Sequence, residues 1–198
     1  MDPPPDLLTE GGAMLTADTV EALAGPIAPG LFAQAEEGAE AAPIGEVESV
    51  EGQVTVTRAD GTEAQLNEGD PVFQGDVLET GEEGTVGIVF VDDSTFALDE
   101  DGRMVLDESI FDPESTEGKS SLTVVQGAFT FVSGKIAQSG PDSMKVSTPV
   151  ATLGIRGTKV AGQAAQEGEE NTIVLLEGEI LVTNQSGVAL TLNQPNQS

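Results

Sequence analysis

From Glu46 onward, apolar and polar residues alternate with a period of two. This is the period of a β-strand with one buried face, and an Asp-Gly pair such as Asp60-Gly61 next to an alternating run is a strong hairpin signal. The alternating runs are Gln53–Thr57, Thr85–Val91, Ser121–Val125, Ala128–Val132 and Thr172–Leu176. Many short strands separated by turns that contain Gly and Asp predict an all-β fold.

A short motif occurs three times: an apolar residue, any residue, a glycine and then a strand. Its glycines are Gly52, Gly127 and Gly178. We expect each glycine to lie where one strand ends and the chain turns before the next strand begins. Similar units of this kind bury their alternate side chains against one another, so the repeat predicts a twisted β-solenoid, a β-roll or a sandwich-like stack.

The segment Thr148–Thr158 combines a proline, two glycines and an arginine in an apolar alternation. Proline removes a ladder donor and glycine permits a bulge, so we predict a kinked strand at an edge or a bend. Val150, Leu153 and Ile155 are expected to face the core. We interpret Arg156 as the partner of an acidic residue in a structural ion pair rather than as a residue that binds an anionic ligand.

The net charge restricts the partners of this chain. The sequence of 198 residues has 35 acidic and 7 basic residues and a formal net charge of −28. Such a charge repels the phosphates of nucleic acids and anionic lipid surfaces. We therefore expect no binding to nucleic acid.

Several residue types on which enzymes depend are absent. The chain has no Cys, His, Trp or Tyr, so it lacks a thiol nucleophile, an imidazole base and the soft ligands of a zinc site. We expect neither catalysis nor a cofactor. The acidic runs Asp92–Ser94 and Asp99–Gly102 lack the spacing of a calcium loop and are interpreted as turns, which leaves only weak calcium binding to the acidic surface.

Two Gly-Asp pairs, Gly69-Asp70 and Gly75-Asp76, lie close together in the sequence. Paired carboxylates can act as a general acid and base, but Asp after Gly is also typical of turns, where its carboxylate accepts from nearby backbone amides. We predict the turn role for both aspartates.

The N-terminal segment, residues 1–45, has no Lys or Arg and is rich in Pro, Ala and Gly. This composition offers too few large apolar groups to offset the entropy of ordering. We expect a flexible acidic tail with one short helix over Thr16–Ala24, followed by an all-β domain over 46–198. The segment lacks the features of a secretory signal, and no run approaches the roughly 18 apolar residues of a membrane helix. We therefore expect no conventional signal peptide and no direct membrane insertion.

The repeat glycine, the two Gly-Asp pairs, the acidic turn at Asp92 and the segment Thr148–Thr158 follow one another along the chain. Together these spaced motifs resemble those of a FecR-type domain. The resemblance covers about Gly45 to Val182, and its most specific part is the segment from Thr148-Pro149 to Gly154-Ile155-Arg156-Gly157-Thr158. Asp93 stands where the family usually has Gly. The motif residues, to which the resemblance gives structural roles, are Gly52, Gly69, Asp70, Gly75, Asp76, Asp92, Thr148, Pro149, Thr152, Gly154, Arg156, Gly157 and Thr158.

The resemblance implies a non-catalytic interaction or anchoring module of an exported bacterial envelope or surface protein. The chain is most similar to the version of the domain at the N-terminus of large repeat adhesins, which are exported by leaderless type I secretion. This implies an extracellular, cell-surface or periplasmic location and a protein partner at the envelope. Two alternatives stay open: a domain that senses a ligand or partner in envelope signalling, and a structural subunit that self-associates through strand edges.

Overall fold

The computed structural model describes residues 42–115, 117–140, 142–166 and 168–195. The helix expected over Thr16–Ala24 lies outside these residues, and so does the tail except for its last residues, 42–45. Ile44 is buried and Gly45 begins the first strand, so the β-sheet domain includes residues just before Glu46.

The described residues form thirteen strands and one short 3-10 helix. The strands are β1 (Gly45–Glu51), β2 (Val54–Thr57), β3 (Glu63–Gln65), β4 (Pro71–Val72), β5 (Val77–Thr80), β6 (Thr85–Phe90), β7 (Thr95–Leu98), β8 (Arg103–Phe111), β9 (Gly118–Val132), β10 (Met144–Ser147), β11 (Ala151–Ala164), β12 (Thr172–Asn184) and β13 (Ala189–Leu192), and the 3-10 helix is Ile136–Gln138. The prediction of an all-β fold is confirmed. The Asp60-Gly61 turn joins β2 to β3 as an antiparallel hairpin, as expected.

All thirteen strands belong to one hydrogen-bonded sheet that folds over into two layers. The front layer runs β3-β2-β5-β8-β9-β10-β11-β12-β13, and the back layer runs β4-β1-β6-β7-β9-β11-β12. The long strands β9, β11 and β12 take part in both layers. Only β9 and β10 pair in parallel, whereas the coils of a solenoid stack in parallel. Of the predicted arrangements, the sandwich-like stack therefore describes this sheet best.

One apolar core lies between the two layers and receives side chains from almost every strand. Three phenylalanines form its centre under the back layer: the ring of Phe96 stacks on Phe129 with centroids 5.8 Å apart, and Phe131 lies 6.1 Å from Phe96. All three side chains are almost fully buried. Aromatic pairs at these distances stabilise the folded state by more than the burial of their apolar area alone.

The chain crosses between the layers at the three glycines of the repeat. Gly52 lies between β1 and β2, whereas Gly127 lies inside β9 and Gly178 inside β12. The expectation that each glycine ends a strand is therefore wrong for the last two. Both allow the strand to continue through a corner, since each has a positive φ, +105° at Gly127 and +88° at Gly178.

Each corner changes which residues face the core. In β9, Leu122 and Val124 are buried before the corner, and Phe129 and Phe131 are buried after it. The inward positions thus move from even to odd numbers, as expected where a bulge lets a strand pass from one layer to the other. The two runs predicted as separate strands, Ser121–Val125 and Ala128–Val132, are parts of this single strand of 15 residues.

The kinked segment Thr148–Thr158 also differs from the expectation. Leu153 and Ile155 are buried, as predicted, and the strand bends at Gly157, where φ is +63°. However, β11 is an interior strand, because β12 covers one side and β10 with β9 the other. Pro149 does not weaken the ladder, since it lies in the turn before β11 begins at Ala151.

Candidate functional site

The first group of motif residues builds the turns around β4. The Asp70 carboxylate accepts from the Asn67 backbone amide at 2.7 Å, and the Gly69 amide donates to the carbonyl of Val47 on β1. These contacts close the turn and attach it to the back layer. The Asp70 carboxylate therefore binds a backbone amide of its own turn.

Asp76 is buried and holds a second turn. Its Oδ2 accepts from the Phe73 amide at 2.8 Å and from the guanidinium of Arg58 at 2.5 Å, while the amide of neighbouring Gly75 donates to the carbonyl of Leu106. The Arg58 guanidinium lies 5.0 Å from the Phe73 ring centre. The carboxylate thus accepts from a turn amide and also forms a largely buried ion pair with Arg58, which lies 18 residues away in the sequence.

Asp92 attaches the β6–β7 turn to the 3-10 helix. One carboxylate oxygen accepts from the amide and hydroxyl of Ser94, at 3.1 and 2.5 Å, and the other accepts from the Ile136 amide at 3.1 Å. Asp93, beside it, has φ +65°, a conformation that glycine adopts most easily and aspartate tolerates. This explains how Asp can replace the glycine of the family pattern.

The acidic runs do not form a metal site among the described residues, where no three acidic side chains are grouped so as to hold an ion. Both oxygens of Asp92 already accept hydrogen bonds from protein donors. The side chain of Asp99 accepts from the next backbone amide, that of Glu100, at 3.0 Å. These contacts support the interpretation of both runs as turns.

The last motif residues build the third corner. Thr158 is buried, and its hydroxyl donates to the Glu179 carbonyl at 2.9 Å while its amide donates to Ser133 Oγ at 2.7 Å. At Gly178, an added Cβ would lie 2.0 Å from the Gly157 carbonyl oxygen, so the two bent strands touch backbone to backbone. The repeat pattern marked Gly178, and the turn signal Ser133-Gly134 marked Ser133, but neither pattern predicted that Ser133 binds the amide of Thr158.

A turn precedes this corner and is closed by Thr148. The Thr148 hydroxyl accepts from the Ala151 amide at 3.2 Å, and the Pro149 carbonyl accepts from the side-chain amide of Gln185. Thr152 then pairs with Thr183 across β11 and β12. The motif from Thr148 to Thr158 therefore has a structural use at most of its positions.

Arg156 and Gly154 lie on the outer face of the front layer. There a groove of about 580 Å³ crosses β10 to β13, and its lining includes Lys145, Gly154, Arg156 and Glu179. Lys145 pairs with Asp142 at 3.5 Å. No carboxylate of the described residues lies within 4.0 Å of Arg156, so the expected ion pair is not formed with any of them. Arg156 is exposed and lies directly across from Glu179 in the ladder, where water competes with pairing.

The outer face of the back layer carries a second, shallower groove of about 360 Å³. A row of cross-strand neighbours forms its floor, and all of them are small: Ser49, Gly87, Ala97, Thr130 and Ala161. Its lining has one titratable side chain, Asp99. This groove offers shape and hydrogen-bonding groups rather than acid–base chemistry.

A family model described as FecR protein matches residues 76–181, and the chain belongs to this family. The first motifs, from Gly52 to Gly75, precede the matched residues. No curated protein matches the chain.

Three solved structures are similar to parts of the chain. One, described as a cell surface anchoring domain, is 37% identical, with 31% of this chain and 82% of that chain covered and a TM-score of 0.31. Two crystal structures of a candidate anti-sigma factor from Parabacteroides distasonis ATCC 8503 are 14% and 16% identical, with TM-scores of 0.42 and 0.40. In both cases 61% of each chain is covered, so this chain spans less than two thirds of their length.

No helix in the part of the chain that the structure describes is long and apolar enough to cross a bilayer.

Proposed function

We propose that the chain is a non-catalytic interaction module that anchors or docks an exported bacterial protein at the cell envelope. Its membership of the FecR family carries this proposal, because the family resemblance implies protein contacts at the envelope. Within the proposal, the domain forms part of a large repeat adhesin that is exported by type I secretion without a conventional signal peptide.

The use of the motif residues supports a scaffold rather than a catalyst. Asp70, Asp76 and Asp92 bind turn amides, and Thr158 holds a corner. A general acid or base needs a free proton-transfer position within reach of a substrate. Both oxygens of Asp92 accept hydrogen bonds within the protein, and the one oxygen of Asp76 that has no partner among the described residues, Oδ1, is buried away from any substrate.

The surface supports contacts with other proteins. Both layers present outward-facing sheet surface with grooves, one polar and partly cationic around Lys145 and Arg156, the other lined with small side chains. The strong negative charge keeps the chain soluble and disfavours nucleic acids and anionic lipids. Protein partners are therefore the favoured class.

The test is an envelope-binding assay with the purified chain. Labelled protein is mixed with isolated envelopes of the native host and sedimented, with an unrelated protein of similar size and net charge as control. We expect the chain to sediment with the envelopes and to be displaced by excess unlabelled chain. Sedimentation equal to that of the control would contradict the proposal.

Sensing of a small anionic ligand is the second candidate function, and the groove around Arg156 favours it. The Arg156 guanidinium has no carboxylate partner among the described residues, and a guanidinium in that state can hold an anion in two hydrogen bonds. A ligand that binds the folded state raises the melting temperature. Screening of carboxylate compounds by thermal shift tests this candidate; a rise that disappears in Arg156→Met would favour sensing over anchoring.

A further inference from the structure

Among the described residues, the two layers leave edges at β3, β4 and β13, and along the first half of β12, residues 172–177, which β11 covers on one side only. An edge strand exposes unpaired backbone groups, and proteins protect such strands with proline, charge or short length. β4 has two residues and begins with Pro71, and β3 has three residues, all exposed, and begins with Glu63. Both of these edges carry the usual protection, and the edge of β12 contains the charged Glu177 and follows Glu169 and Glu170.

β13 carries none of this protection except that it is short. Residues 187–194 contain no charged side chain and no proline, in a chain with a net charge of −28. Val188 and Leu190 are 65% and 57% exposed. Within the described residues, β13 pairs only with β12.

The register of β13 determines which backbone groups face outward. The Asn184 amide donates to the Val188 carbonyl where the β12–β13 hairpin closes. Because bonded and non-bonded pairs alternate along an antiparallel ladder, Leu190 bonds to β12. Ala189 and Thr191 then point their N–H and C=O groups away from the sheet.

We propose that β13 pairs antiparallel with β13 of a second copy of this chain, on a two-fold axis at Leu190. In this register Ala189 of one copy lies opposite Thr191 of the other, and the two pairs exchange four backbone hydrogen bonds. The two Leu190 residues face each other as a non-bonded pair, with Cα atoms about 4.5 Å apart. A two-fold contact uses the same surface on both copies, so one free edge on each copy is sufficient to form the dimer.

The side chains fit the same arrangement. Leu190 lies opposite Val182 in the hairpin and two residues before Leu192, which is buried. Val182 packs against the core, so Leu190 lies on the core side of β13. Pairing of two copies would cover both Leu190 side chains and extend the apolar layer across the axis.

Charge makes the association weak and dependent on salt. Two copies, each with a net charge of −28, repel each other, and salt screens this repulsion over the Debye length, about 8 Å at physiological ionic strength and about 3 Å at 1 M. The edge itself is uncharged, so salt removes the repulsion without weakening the contact. We expect dimerisation to strengthen from about 0.05 M to about 1 M NaCl. The proposal does not depend on the anchoring function.

A disulfide trap tests the geometry directly, because the chain has no cysteine of its own. Cα atoms at the spacing of a non-bonded pair are within disulfide range. Leu190→Cys should form a cross-linked dimer under mild oxidation, more rapidly at high salt. Leu181→Cys is the matched control, since Leu181 is 46% exposed but lies on β12, away from the edge.

Sedimentation equilibrium of the unmodified chain completes the test. We expect a reversible monomer–dimer equilibrium that strengthens with salt, that is lost in Leu190→Lys because like charges would then face each other, and that is kept in Leu181→Lys. Circular dichroism checks that both variants are folded. A monomer at every protein and salt concentration, or equal cross-linking of the two cysteine variants, would overturn the proposal.

Discussion

The corner at Gly178 offers the sharpest test of how this sheet folds over. An added Cβ at Gly178 would lie 2.0 Å from the Gly157 carbonyl oxygen, and the residue has φ +88°. Gly187, in the β12–β13 turn, has a similar φ of +79°, but an added Cβ there would meet no atom within 4 Å. Alanine substitutions at Gly178 and Gly187 therefore separate two contributions to the loss of stability: the positive φ, which both sites share, and the close backbone contact, which only Gly178 has.

Both Gly→Ala changes place a side chain at positive φ, which costs about 1–2 kcal/mol. Gly187→Ala should lower the free energy of unfolding by that amount. Gly178→Ala must also displace a backbone carbonyl, and overpacking of this kind adds about 1–3 kcal/mol. The expected loss in the free energy of unfolding is then about 1–2 kcal/mol for Gly187→Ala and about 2–5 kcal/mol for Gly178→Ala.

Urea unfolding followed by circular dichroism measures both values. The difference between the two variants is the informative quantity, because it cancels most of the effect that each change has on the unfolded chain. Equal losses in the two variants would refute the claim that β11 and β12 touch backbone to backbone at this corner.

Two further predictions concern side chains. Arg58→Met should lower the free energy of unfolding by about 3 kcal/mol, because it leaves the buried Asp76 carboxylate without its counterion. Arg103→Met removes an exposed ion pair and should lower the free energy of unfolding by less than about 1 kcal/mol. Equal losses of the two variants in urea unfolding would contradict this prediction. The Ser115 hydroxyl donates to the carboxylate of Asp112 and holds the pKa of that group below its ordinary value. Ser115→Ala should raise this pKa in a carboxyl NMR titration, and an unchanged pKa would contradict the assigned cause.

Local patterns predicted the strands well and their continuity poorly. The alternation in Thr85–Val91 and the Asp60-Gly61 turn led directly to β6 and to the β2–β3 hairpin. At Gly127 the alternation changes phase, which in the sequence resembles the end of one strand and the start of another. Only the packing of this glycine against Gly102, where an added Cβ would lie 2.6 Å from a Cα atom, identifies a corner within one strand.

The roles of the motif residues were predictable where their partners lie nearby in the sequence. Asp70 accepts from an amide three residues away, as turn chemistry suggests. The bond from Asp92 to the amide of Ile136 spans 44 residues, and the one from Thr158 to the Glu179 carbonyl spans 21. Such contacts depend on how the sheet folds over, and no local pattern encodes them.

The most direct test of the account is the location of the native protein. Cells of the native host are separated into cytosol, envelope and medium, and an antibody against residues 42–195 follows the polypeptide, whose mass is measured in each fraction. The account predicts that the polypeptide is found in the envelope or outside the cell. A protein confined to the cytosol would contradict the proposed anchoring function.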